Sequence, residues 1–203
     1  MHLTQSDEPC TVGGEIVHAL HGRNTTECAH AYATGLGWPV AAGHRYRRQA
    51  GCTCHDTDTA GPCPAPGAHP RTVPVDLLAP ADVTPVFNTE PGAGIITVCT
   101  QFDGVTLPHV LGLALMLVLD RQGLYTPCLT ADHTHATLLV APGTGRRLVG
   151  AAPVTVHSGP DAWLALPPSH GMRWDNPPTL HNPLPNADAI RPHLERAARI
   201  AAR

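Results

Sequence analysis

GIITVCTQFDGVTLPHVLGLALMLVLDRQG, residues 94–123, is the stretch on which the fold turns. Its opening, Gly94 to Thr100, is a β-branched run of the kind that fills a buried strand. Pro108 then starts a helix, because its ring presets the first-turn φ and it lacks only an N–H that would have no partner there. The residues that follow are apolar nearly all round until Gly123 ends the pattern, which predicts a central helix inside the core.

Upstream, NTTECAHAYATGLGWPV (residues 24–40) predicts a first helix. Asn24, Thr25 or Thr26 caps it, Cys28, Ala31 and Tyr32 fall at helical spacing, and Gly35 or Gly37 stops it. A strand is expected over residues 38–42 and a short helix over 79–87. Downstream, strands are expected at 127–131, 136–141, 153–157 and 163–167, with PGTG and HSGP as turns. The tail from Asp188 carries Ile190, Leu194, Ala197 and Ile200 on one face, an amphipathic helix. Alternating strands and helices predict an α/β or α+β domain with a mixed central sheet flanked by helices. Residues 1–23 read as a loose arm with a short apolar segment at 16–20, residues 24–178 as the domain, and residues 179–203 as a linker and terminal helix.

Composition narrows the function classes. The 203 residues fit one domain, and 22 Pro with 19 Gly imply short elements joined by many turns. A formal net charge of −3 argues against a strongly cationic nucleic-acid binder, so any phosphate contact must be local. All 13 basic residues are Arg. MHLTQSDEPC has no basic segment followed by an apolar run, so a cytoplasmic location is expected. The apolar run from Val110 to Leu119 is far short of the roughly 18 residues that suggest a membrane span, so no membrane partner is expected. Seven cysteines in such a chain suggest thiols or metal ligands rather than a disulfide framework.

Residues 43–74 form a Gly/Pro/Cys-rich insertion without apolar periodicity, which needs a substitute for a hydrophobic core. Cys52, Cys54, Cys63 and His69 supply three thiolates and an imidazole, a set suited to a closed tetrahedral Zn²⁺ with a structural role. His55, Asp56 and Asp58 are competing donors, and reduced thiols in a proline-stiffened loop are the alternative. Within the same insertion, Arg45, Arg47 and Arg48 surround Tyr46, a grouping able to contact a phosphate backbone and stack a base, or simply to be solvated. Arg146 and Arg147 form a second small basic patch. His133, His135, His157 and His170 read as surface or hydrogen-bonded histidines, and Cys99 as a buried thiol.

Four segments, AYATGLGWPV, CTCHDTDTAGPCPAPGAHP, GAGIITVCTQFDGV and DAWLALPPSHGMRW, together resemble the N-terminal domain of bifunctional DNA primase/polymerases. The resemblance runs from about Glu27 to Pro178 and is most specific in the second and fourth segments. It implies a role in DNA replication, with single-stranded DNA or nucleotides as partners and a separate helicase or replication protein beside them. It also implies a catalytic site in which two carboxylates at a strand end, a His on the next strand and a third acid before PPS hold Mg²⁺ or Mn²⁺ for nucleotidyl transfer.

This sequence departs from that pattern at each motif. Asp103 stands at the strand end, but Val105 occupies the partner position. Aligning the terminal APG places Ala136 at the expected His, and the third acid falls near Val156, with Asp161 in the following turn. The resemblance therefore implies a primase/polymerase-like domain with weak or lost transfer, Asp103 being a remnant. Two alternatives stand beside it: an active enzyme recruiting Asp132 or Asp161, and a zinc-stabilised interaction protein.

Overall fold

A computed structural model describes Leu20 and residues 24–54, 62–131 and 134–201 of the chain. The expected arm, apart from a buried Leu20, lies outside the described residues, as do His55, Asp56, Asp58, Asp132 and His133.

Helix α1 (Thr25–His30) starts where its cap predicts, the Asn24 side chain accepting hydrogen bonds from the amides of Thr26 and Glu27. It widens into a π-helical turn, Ala31–Gly35, that carries Tyr32 inward. There the Tyr32 hydroxyl donates to the Pro167 carbonyl at 2.8 Å and accepts from the Trp174 indole at 2.7 Å. One buried phenol so ties this helix to the strand that carries Trp174.

The remaining elements are β1 (Val40–Arg47), β2 (Gly51–Cys52), α2 (Pro80–Thr89), β3 (Ala93–Pro108), α3 (His109–Arg121), β4 (Cys128–Ala131) and β5 (His135–Val140). A 3-10 turn (Gly145–Leu148), β6 (Thr155–Leu166), β7 (Met172–Asn176) and α4 (Ala187–Ala201) complete the described chain. Seven strands form one sheet in the order β2-β1-β3-β5-β4-β7, with β6 also paired to β3. Ile95 pairs with both Ala42 and Leu166, and Gly104 with both Leu139 and His157, so β6 follows one edge of β3 while β1 and then β5 occupy the other.

The fold is α+β. Every ladder between strands is antiparallel, so the sheet expected to be mixed is an antiparallel one. For β1–β2 and β4–β5 the physical reason is connection length: only a few residues join the strands of each pair, whereas a parallel pair needs a crossover of a dozen or more.

Helices α3 and α4 cover one face of the sheet. Leu111, Leu115 and Leu119 of α3 and Ile190, Leu194 and Ala197 of α4 pack there with Val105, Leu107, Ala136 and Leu138. On the other side, α1 and α2 bury Cys28, Tyr32, Val83 and Phe87 with Ile95, Phe102 and Leu139. A smaller cluster joins Ala68 of the Cys-rich segment to Ala41, Ile96 and Ala165 of the sheet. No helix among the described residues is long and apolar enough to cross a membrane.

Several expectations are corrected. β1 continues to Arg47, so the basic run begins on a strand rather than in a loop. HSGP is no turn: the strands expected on either side of it are a single β6, because the 16-residue β3 offers partners along its length and the ladder absorbs HSGP as an irregularity, with Gly159 at φ +84°. α3 is not enclosed by the core. Val110, Leu113 and Leu117 are 71%, 44% and 62% exposed, since α3 packs through only one of its faces. Ile200, expected on the buried face of α4, is also exposed.

Candidate metal centre and adjoining cleft

Cys52 is placed by the β1–β2 hairpin, in which Tyr46 pairs with Cys52 and Arg47 with Gly51. Thr53 fastens the hairpin's exit: its hydroxyl accepts the Arg45 amide at 2.9 Å and lies 3.1 Å from His44 Nδ1. His69 is brought to the same spot by the loop's return, where its carbonyl accepts the His44 amide at 3.0 Å and its ring lies 4.6 Å from that of His44. Glycines permit this closeness. A Cβ on Gly43 would stand 2.7 Å from the His69 carbonyl oxygen, and one on Gly67, at φ +69°, 2.8 Å from the Tyr46 nitrogen.

The result is a cluster of four side chains, Cys52, Cys54, Cys63 and His69, whose ligand atoms all lie within 4.8 Å of one another. His69 Nε2 is 3.4 Å from Cys52 Sγ and 3.3 Å from Cys63 Sγ. Tetrahedral Zn²⁺, with bonds of about 2.3 Å to sulfur and 2.0 Å to nitrogen, separates neighbouring ligand atoms by roughly 3.5 Å. His69 Nδ1 sits 3.1 Å from the Pro70 carbonyl and donates to it, which leaves the Nε2 lone pair facing the thiols. The set can therefore hold a metal ion such as zinc, and the four residues picked out by composition are brought together.

The electrostatics agree with that chemistry. Burial alone would raise the Cys52 thiol, but hydrogen bonds from the backbone of Cys54 and Gly67, together with the side-chain contacts to His69 and Cys54, outweigh it and bring the thiol down to about 7. The Gly67 amide is 3.3 Å from Cys52 Sγ. Cys54 moves the opposite way, pushed up to about 12 by desolvation and by the neighbouring Cys52 and Cys63. Three sulfurs so close cannot all ionise without a cation between them.

The chain matches no family model, no curated protein and no solved structure.

Beside the Cys/His cluster lies a cleft of about 640 Å³. Its base is the sheet face opposite α3 and α4, with Thr106 of β3, Thr137 of β5 and His157 of β6. Pro64 to Pro66 and Ala68 form one wall, Asp161 to Ala165 another, and His135, His170 and Met172 the rest of the rim. Desolvation lowers the pKa of half-buried His157, favouring the neutral ring. His170 stacks on Tyr46 with ring centroids 3.8 Å apart.

The sheet register decides what Asp103 does. Asp103, Val105 and Leu107 share one side of β3, and Val105 and Leu107 pack under α3 and α4. Asp103 is buried, its Oδ2 accepting from the Gly145 amide at 2.7 Å and its Oδ1 from the Ser158 hydroxyl at 2.7 Å. Ala136 lies on the same covered side, and Val156 pairs with Val105. Asp103, Val105, Ala136 and Val156 thus point away from the cleft. The cleft side carries Thr106, Thr137, His135 and His157 instead, one residue out of step.

The two basic patches belong to different elements. Arg47 and Arg48 are exposed beside the metal centre, while the Arg45 guanidinium donates to the Pro91 carbonyl at 3.3 Å. Arg146 is exposed on the 3-10 turn, and Arg147 is ion-paired with Asp188 of α4. Asp161, expected in a turn, is an exposed residue of β6 at the cleft wall. Sequence reasoning missed the Thr106–Thr137 hydroxyl pair, 2.8 Å apart, and the role of Trp163 in the cleft. The alternation of Val105, Thr106 and Leu107 held the signal, since two apolar residues flanking a hydroxyl assign opposite faces.

Proposed function

We propose that this chain is a zinc-stabilised, primase/polymerase-like domain that contacts single-stranded DNA or nucleotides and has lost efficient nucleotidyl transfer. The observation that carries the reading is Asp103. In-line transfer through two metals needs several carboxylates around one pocket, yet this one spends both oxygens on Gly145 and Ser158 beneath the helices. Asp161 is the one carboxylate lining the cleft among the described residues. Zinc fills the Cys/His cluster in a structural role, since four protein ligands leave no open position for substrate. Arg47 and Arg48, exposed on the metal-held hairpin, supply the local phosphate contact.

The test is template-directed incorporation with Mg²⁺ or Mn²⁺, run alongside single-stranded DNA binding at several salt concentrations. Binding without incorporation is expected, with a salt slope shallower by about 0.7 for each phosphate that Arg47→Ala or Arg48→Ala leaves unneutralised. Incorporation that disappears in Asp161→Ala or Asp132→Ala would establish an active enzyme and overturn the reading. A second reading, a zinc-stabilised interaction protein without a nucleic-acid role, is favoured by the exposed Val110, Leu113 and Leu117 of α3. Absence of DNA binding at low salt would select it.

A further inference from the structure

The cleft has the size of a small-molecule site, and its chemistry restricts what can enter. Among the described residues none of its lining side chains is an arginine, and Asp161 is its one carboxylate. A polyphosphate would surrender its hydration there without meeting a fixed cation, which is costly for each charge. A flat, uncharged ring system loses little hydration. Trp163 offers it an aromatic surface, and Leu129, Leu164 and Met172 offer apolar contact. The bonded pair Thr106 and Thr137 retains one hydroxyl proton and free lone pairs, and His157 adds a ring donor and acceptor.

The wall of the cleft is also the span of the metal loop. Pro64, Ala65, Pro66 and Ala68 all lie between Cys63 and His69, so two of the four metal ligands clamp this wall at its ends. Gly67, in its middle, packs onto Tyr46 and His170, with its amide directed at Cys52 Sγ.

We infer that the cleft binds a flat, uncharged heteroaromatic molecule in preference to its phosphorylated forms, and that metal in the Cys/His cluster tightens this binding by fixing the Pro64–Ala68 wall. The coupling is reciprocal: whatever factor the metal adds to ligand affinity, the ligand adds to metal affinity. The inference does not depend on DNA binding.

Adenosine and ATP are suitable probes because they differ only in the triphosphate. Isothermal titration of the zinc-loaded full chain, without other divalent ions, should show adenosine binding at least about tenfold tighter than ATP, the effect of leaving buried charge uncompensated. Thr137→Val and His157→Ala should each weaken adenosine about fivefold, the worth of one hydrogen bond. Thr106→Val serves as a second hydroxyl variant should Thr137→Val fail to fold, judged by zinc content and circular dichroism. Saturating adenosine should slow transfer of zinc to a chromogenic chelator, and zinc-free protein should bind adenosine more weakly.

ATP binding as tightly as adenosine overturns the inference. So does absence of adenosine binding, or an affinity unchanged by zinc. DNA binding that persists while adenosine fails would sink this inference alone, whereas adenosine binding without DNA binding would sink the functional proposal alone.

Discussion

Asp103 shows how one carboxylate can look catalytic in sequence and be structural in the fold. Its two acceptor bonds hold the 3-10 turn and β6 against β3, and a Cβ on Gly145 would come within 2.9 Å of Asp103 Cβ. Removing it strands a buried amide and a hydroxyl. Asp103→Ala is therefore expected to cost about 3 kcal/mol of stability, the upper range for hydrogen bonds to a charged group. Asp103→Asn, which keeps one acceptor oxygen, should cost less. Urea denaturation checks both, and a near-neutral Asp103→Ala would refute the structural role. The residue type was legible in the sequence, and so was its parity with Val105. Its pairing with Val140, which set both beneath the helices, arises between residues distant in the chain.

Elements were legible where periodicity is local and strong. α1, α2, α3, α4 and the start of β3 match their expected positions, because capping, proline placement and apolar spacing act within a few residues. β7 was missed: Met-Arg-Trp-Asp-Asn alternates half-buried with exposed residues and has too little β-branching to stand out. α3 marks the opposite limit, since an apolar sequence does not say how many of its faces find partners. Leu117→Lys, at an exposed position, should change stability by less than about 0.5 kcal/mol, whereas Leu115→Ala, at a buried one, should cost about 2–5 kcal/mol. Thermal unfolding of the two variants tests this. A large loss from Leu117→Lys would mean that another surface covers the helix in solution.

Across the whole molecule, the cluster of Cys52, Cys54, Cys63 and His69 joins a segment poor in apolar periodicity to the sheet. An ion present at a thousand times its dissociation constant adds about 4 kcal/mol, which in a chain of this size corresponds to a melting temperature roughly 10 °C higher. Chelation should remove that increment, and Cys63→Ser should lower it. The same treatment should open Cys52 and Cys63 to iodoacetamide first, and then Cys54, whose thiol those two neighbours hold up until they are alkylated. Burial pushes Cys28 up to about 11 and Cys99 and Cys128 up to about 12, so these three should stay unmodified until the protein unfolds. Peptide mapping reads both groups, and equal labelling of all six before and after chelation would count against a bound metal. By itself the sequence determined that strands alternate with helices, where the helices lie, and which four thiol and imidazole side chains could hold a metal, because capping, patterning and thiol chemistry are carried by residue type and near neighbours. Only the tertiary structure decided which side of β3 is open, that HSGP continues a strand, and that the metal loop walls a cleft. Those outcomes depend on strand register and packing between segments far apart in the chain, and a shift of one residue in register reverses every side chain.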